Sequence, residues 1–198
     1  MTSAPAPHHT AVSERAALLV WQLDAVWSLF EHHRPALDDD ACYWEPVPGA
    51  SWTVRRDAGG RWAADWQVPE PEPVPVTTIA WTGWHIGYWW TTTLGHCFGD
   101  GAPDRTEIRW PGGADAAARW LEELKDRWRD ELLGLGDAEL DSTERTASLP
   151  WGEGLRLVDI AAWVNFELAK NVSEIGQLLH LRGAGSGAGA TGSGRGVA

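Results

Sequence analysis

The segment from Leu155 to Arg182 constrains the fold most, because its residue pattern predicts one long amphipathic helix. Apolar residues recur along it at steps of three and four, the spacing that keeps side chains on one face of a helix. These residues are Leu157, Ala161, Val164, Leu168, Val172, Ile175 and Leu179. A continuous apolar face must be buried, so the sequence predicts that this helix packs against other helices.

The same segment carries a polar stripe at positions i, i+3, i+4 and i+7, made of Glu167, Lys170, Asn171 and Glu174. At about 100° per residue, Asn171 lies about 60° and Glu167 about 100° from the centre of the apolar face. Both residues therefore lie near the edge where the packed face meets solvent. The stripe is either a solvated helix face or one wall of a site between this helix and a neighbour.

Length and composition indicate one globular domain. At 198 residues the chain can bury a substantial core but is short for two domains of ordinary size. Its aromatic volume comes from 15 Trp against 3 Phe and 2 Tyr. Because Trp is rarely buried completely, we expect many indoles to be partly exposed, and an exposed indole surface makes a homodimer an open expectation.

Charge and cysteine usage exclude several classes of protein. The net charge of −12 and the pI near 4.9 argue against nucleic-acid binding, which needs a basic face. The chain has no run of eighteen apolar residues and no apolar stretch within residues 1–10, so neither a membrane span nor a signal peptide is expected. Two cysteines, Cys42 and Cys97, fit a reducing compartment, and the sequence predicts a cytoplasmic protein.

Three further helices are predicted, which gives an all-α fold. The first begins at Ser13 and ends before Pro35, the second begins at Thr77 or Thr78, and the third extends over about residues 115–133. Four amphipathic helices without an alternating strand pattern predict a four-helix bundle. Long connections at residues 35–76 and 134–154 leave its topology open.

The chain ends and the first connection have distinct compositions. Residues 1–10 are predicted to be a disordered leader, residues 11–182 the bundle domain, and residues 183–198 a disordered Gly/Ser/Ala tail. Residues 38–76 are rich in Pro, Gly and Trp, so we expect an ordered loop that lies on the bundle, with a lid as one alternative.

The second predicted helix carries His85 on the same face as Trp81 and Tyr88. Gly83 and Gly87 on this helix permit a close approach of neighbouring backbone. Two interpretations of His85 stay open: a hydrogen-bonded histidine packed between Trp residues, or a functional ligand.

Three separated segments share a recognisable pattern: Trp44–Gly49, Thr77–Trp81 with His85 four residues later, and Trp163–Ile175. Together they resemble the DinB-like superfamily, in particular its DinB_2 or DUF664-type branch, over about residues 11–182. The resemblance implies a DinB-like four-helix bundle. Members commonly hold Zn or Ni through a His of the second helix and an i, i+4 pair of the fourth, and some are transferases or isomerases that use mycothiol, bacillithiol or glutathione.

Carried onto this chain, the resemblance implies His85, Glu167 and Asn171 as metal ligands. Glu167 stands where a His is typical and still suits Zn or a harder cation, whereas the amide oxygen of Asn171 is a weak ligand for transition metals. Positions 170 and 171 are Lys-Asn here and His-His in many relatives. A register shifted by one turn would pair Lys170 with Glu174, which is a poorer donor set.

The first functional hypothesis is a metal- and thiol-dependent transferase or isomerase, or a metal-dependent hydrolase, that acts on a small molecule. His85 and Glu167 are the candidate catalytic residues, in a pocket under the Trp-rich loop. A bound metal would lower the pKa of a thiol or water. Without a metal, His85 would act as general base and Glu167 would orient it. Additional pocket candidates are Trp81, Tyr88, Lys170 and Glu174.

The second hypothesis is a non-catalytic helical domain that binds a small ligand or dimerises through its Trp surface. In this case Lys170 pairs with Glu167 or Glu174 and fills the place of a lost metal, leaving a polar cleft.

Overall fold

The computed structural model describes residues 13–191, with side chains described as far as residue 185, and within this range the chain is mainly helical. In chain order the elements are α1 (Glu14–His33), α2 (Asp39–Tyr43), β1 (Val54–Arg56), β2 (Trp62–Ala64), α3 (Ile79–Phe98), α4 (Ala114–Leu133), α5 (Asp137–Leu140) and α6 (Leu157–Thr191). The four long helices pack in the order α1, α4, α3, α6 around a common core. The all-α prediction and the predicted bundle are confirmed.

Side-chain caps determine where the long helices begin. The Ser13 hydroxyl accepts hydrogen bonds from the backbone N–H groups of the first turn of α1. Of the two threonines predicted to cap the second helix, Thr78 is the cap of α3, since its side chain accepts from the N–H of Trp81. The N–H of Ala114 at the start of α4 donates to Asp39 Oδ1 over 2.7 Å, so α2 supplies the cap of α4.

The predicted apolar face of the last helix is buried in the core. Leu179 of this face is partly buried, and the remaining members are at most 1% exposed: Leu157, Ala161, Val164, Leu168, Val172 and Ile175. Four indoles are fully buried rather than partly exposed, namely Trp84, Trp89, Trp90 and Trp128. The apolar faces therefore meet around a core of aliphatic side chains and indoles.

The first long connection is more regular than the sequence indicates. Besides α2 it contains an antiparallel hairpin in which Val54 pairs with Ala64 and Arg56 with Trp62. Gly60, with φ of 75°, forms the turn. The connection is ordered, as expected; the hairpin within it was not predicted, because strands of three residues are too short to show alternation of polar and apolar side chains.

The C-terminal end of the chain differs from the prediction. Helix α6 continues past Arg182 to Thr191, where a disordered tail was expected from residue 183. Because the helix is already nucleated upstream, the Ala residues of this segment can continue it, although each Gly opposes helix formation. The predicted leader, residues 1–10, and the final residues 192–198 lie outside the described range. Within the described residues, no helix has both the length and the apolar character needed to cross a membrane.

The predicted close approach at the glycines of α3 is an approach of indole rings rather than of backbone. A Cβ added at Gly83 would lie 3.1 Å from Cζ3 of Trp110, and one at Gly87 would lie 1.8 Å from Cη2 of Trp120. The absence of a side chain at Gly87 thus lets Trp120 of α4 lie directly on α3.

Replacing Gly87 by alanine should lower the free energy of unfolding by about 2 kcal/mol, because the Trp120 ring must move out of its packed position. Urea denaturation followed by circular dichroism measures this change. Gly183→Ala is the matched control: a Cβ there meets open space, and the substitution should not destabilise the protein. Equal stabilities of the two variants would contradict the packing described for Trp120.

Candidate active site

A pocket of about 430 Å³ lies between α3 and α6 beneath residues 52–77, which we call the covering segment. We refer to this cavity as the α3–α6 pocket. Its walls combine indole and aliphatic side chains with a small number of polar groups. The polar and charged lining residues are Glu70, Thr77, His85, Lys170, Asn171, Glu174 and Gln177. Such a mixture is typical of pockets for small organic molecules.

The pocket brings together most of the predicted site residues. Lys170, Asn171, Glu174, Trp81 and His85 all line it. Of the two others, Glu167 lies beside the pocket and interacts electrostatically with His85. Tyr88 is not part of the lining and stacks instead on Trp84, with ring centroids 5.6 Å apart.

His85 presents a neutral imidazole to this region. Its ring stacks on Trp81 with centroids 4.9 Å apart, and its Nδ1 atom is buried without a hydrogen-bond partner. The pKa of His85 is lowered to about 4, with burial as the largest cause and the Lys170 ammonium as the second, and Glu167 and Asn171 only partly offset these effects. The imidazole is therefore uncharged at neutral pH.

Lys170 forms an ion pair with Glu167 on the wall of α6. The Lys170 Nζ atom lies 2.8 Å from Glu167 Oε2, and the Glu167 side chain is only 15% exposed. This is one of the two pairings that the sequence allowed. The other partner considered, Glu174, makes no ion pair among the described residues, and burial raises the pKa of its carboxyl group.

The side chain of Asn171 is almost fully buried, with 1% exposure. Its Nδ2 atom donates a hydrogen bond to the backbone carbonyl of Glu167 over 2.9 Å. This bond to the preceding turn of α6 uses the amide nitrogen and fixes the plane of the amide group.

These side chains do not fit a tightly held Zn or Ni ion. The set offers one imidazole, one amide and the Glu167 carboxylate, whose charge is already matched by Lys170. Zn and Ni sites are built from several imidazole, thiolate or carboxylate donors. In the part of the chain that the structure describes, no cluster of three His, Cys, Asp or Glu side chains could hold a metal ion.

The covering segment contributes pocket residues that the sequence did not identify: Trp52, Trp66 and Glu70. Two contacts hold this segment on the bundle. The Trp81 indole N–H donates to the carbonyl of Asp65 over 2.7 Å, and the backbone N–H of Thr78, at the start of α3, donates to the carbonyl of Trp52 over 2.9 Å. The abundance of Trp indicated contact with the bundle, but only the path of the chain selects which indoles reach the pocket.

A wider cleft of about 820 Å³ opens near the start of α4. Two of its four acidic residues cap helices: Asp39 accepts from the N–H of Ala114, and Asp38 accepts from the N–H of Ala41. None of the predicted site residues lines this cleft. The α3–α6 pocket is therefore the candidate site.

Comparison with family models gives a match over residues 22–175 to a model described as the DinB superfamily, DinB_2. The matched range includes the four long helices at least in part, the covering segment and all lining residues of the candidate site except Gln177, Leu178 and Leu181. Comparisons with curated proteins and with solved structures gave no match.

Proposed function

The chain belongs to the DinB superfamily, and on this premise we propose that it binds a small organic molecule in the α3–α6 pocket without a resident metal ion. The observation that carries this proposal is the ion pair between Lys170 and Glu167. On this proposal, the ammonium group of Lys170 takes the place of the metal cation that members of the superfamily commonly hold.

Two physical effects support a metal-free pocket. The Lys170 ammonium group neutralises the negative charge of Glu167, which is the one carboxylate among the implied metal ligands. It would also repel a second cation placed beside it. His85 and Asn171 line the same pocket as a wall of indoles, so an organic ligand there would meet both polar and apolar side chains.

Equilibrium dialysis of protein purified without an affinity tag tests this proposal. Against micromolar Zn²⁺ or Ni²⁺, we expect binding far below one equivalent and no change in melting temperature. The outcome that overturns the proposal is stoichiometric metal that is lost in His85→Ala. Retention of the metal in His85→Ala would instead place it at another part of the chain.

A second candidate function is thiol-dependent transfer or isomerisation with His85 as general base. It is favoured by the buried, neutral imidazole with an unpartnered Nδ1. The base would take the proton of a low-molecular-weight thiol such as mycothiol or glutathione. The thiolate would then form a C–S bond at an electrophilic carbon, while the bond from that carbon to its leaving group breaks and the leaving group departs with the electron pair. However, a pKa of about 4 makes the imidazole a weak base for a thiol, which places ligand binding ahead of catalysis.

The catalytic candidate makes its own prediction. If it is right, glutathione or mycothiol should react with an electrophilic probe such as 1-chloro-2,4-dinitrobenzene faster in the presence of the protein, and His85→Gln should lower kcat about a hundredfold. Stopped-flow absorbance measures this rate. Equal rates for the native protein and His85→Gln would eliminate His85 as the base.

Self-association and location stay predictions. Exposed apolar side chains occur on α1 and α6, which pack against each other: Leu18, Trp21 and Phe166 are each more than half exposed. We propose that this surface supports a homodimer, and a sedimentation mass equal to one chain at high protein concentration would contradict it. We also expect a cytoplasmic location, where the two buried cysteines remain free thiols.

A further inference from the structure

We propose that the ligand of the α3–α6 pocket is a small organic cation, an amine or quaternary ammonium compound with an apolar substituent. This inference rests on the proposed function, since it specifies the ligand class of the same pocket. Three features carry it: the charge balance of the lining, the indole wall, and the poor fit of anions and metal ions.

The charge balance of the pocket is negative. Its charged lining residues are Glu70, Lys170 and Glu174. The positive charge of Lys170 is matched by Glu167, which lies just outside the lining. Among the described residues, the side-chain carboxylates of Glu70 and Glu174 make no ion pair or hydrogen bond, although Lys170 interacts electrostatically with Glu174. Because Lys170 is already paired with Glu167, the carboxylates of Glu70 and Glu174 remain for a cationic partner.

The indole side chains of the pocket also favour a positively charged ligand. Trp52, Trp66 and Trp81 lie together, with the rings of Trp52 and Trp81 5.4 Å apart and those of Trp66 and Trp81 6.4 Å apart. Indole faces carry negative electrostatic potential and attract organic cations. Trp66 already interacts in this way with the Arg105 guanidinium, which lies 4.7 Å from its ring centroid and does not line the pocket.

Other ligand classes fit less well. An anion would meet the carboxylates of Glu70 and Glu174, and the only lysine available to it is already paired. A divalent metal ion needs several closely spaced donors, which the described residues do not provide. An organic cation sheds its water more easily than a metal ion and gains both from carboxylates and from indole faces.

Isothermal titration calorimetry with three probes of similar shape tests the inference: benzyltrimethylammonium as the cation, benzyl alcohol as the neutral probe and 3-phenylpropionate as the anion. We expect the cation to bind at least about tenfold more tightly than the other two. Glu174→Gln should weaken its binding about fivefold, and Glu70→Gln/Glu174→Gln should weaken it further. Both residues belong to the exposed part of the chain rather than to the core, so their amide variants should fold, which circular dichroism verifies.

Glu153→Gln is the matched control, because it removes the same charge from an exposed carboxylate outside the pocket. It should leave the affinity for benzyltrimethylammonium unchanged. Equal binding of the cationic and neutral probes would overturn the inference and leave the proposed function intact. Preference for the anion, equal losses in Glu174→Gln and Glu153→Gln, or no binding of any probe would also overturn it. The proposed absence of a resident metal is judged separately by the dialysis experiment.

Discussion

The double variant Lys170→Ala/Asn171→His is expected to bind Co²⁺ and Zn²⁺ about a thousandfold more tightly than the native chain. Removing Lys170 eliminates a repelling ammonium group and frees the carboxylate of Glu167. Replacing Asn171 places an imidazole one helical turn from Glu167, on the same face of α6. With His85 across the gap, this provides three ligands of the types that Zn prefers, together with an open coordination position.

The visible absorption of Co²⁺ measures the effect. A Co²⁺ ion of low coordination number, held by imidazole and carboxylate ligands, gives intense d–d absorption bands. Competition with a chelator then gives the affinity. Adding His85→Ala to the double variant is the control and should abolish the bands. An affinity that is unchanged from the native chain, in a variant that remains folded, would contradict the placement of His85 opposite α6 and the role assigned to Lys170.

The arrangement that this variant alters was partly predictable from the sequence. The stripe on α6 was identified by its spacing, and an i, i+3 pair such as Glu167 and Lys170 is a local property of a helix. The position of His85 opposite this stripe followed from the family resemblance rather than from periodicity. It depends on the packing of α3 against α6, which no local pattern specifies.

The rest of the pocket depends on contacts that have no local signal. Trp52, Trp66 and Glu70 lie in the covering segment. The path of this segment depends on a hairpin of two three-residue strands and on the hydrogen bond from Trp81 to Asp65. The long helices could be located because their apolar residues repeat over several turns. The hairpin and the pocket wall that it supports could not be located in this way. A strand of three residues is too short for a repeating pattern of polar and apolar side chains to be recognised.

Acid should destabilise the protein because of His85. Its pKa is about 4 in the folded chain, against a usual value of 6.5, with burial as the main cause and Lys170 as the second. Below pH 6.5 the unfolded chain therefore binds a proton that the folded chain does not. The contribution of His85 to the free energy of unfolding is therefore fully present above pH 6.5. It decreases by a total of about 3 kcal/mol as the pH falls towards 4.

Urea denaturation at several pH values between 7.5 and 4.5 should show this loss, and His85→Gln should remove most of the pH dependence. A smaller slope of the same sign should persist, because burial and the neighbouring His32 and His180 also lower the pKa of His33. His96→Gln, at a partly exposed histidine near the end of α3, is the control and should keep the native slope. If His85→Gln keeps that slope as well, the pKa of His85 is not lowered by burial in the folded chain.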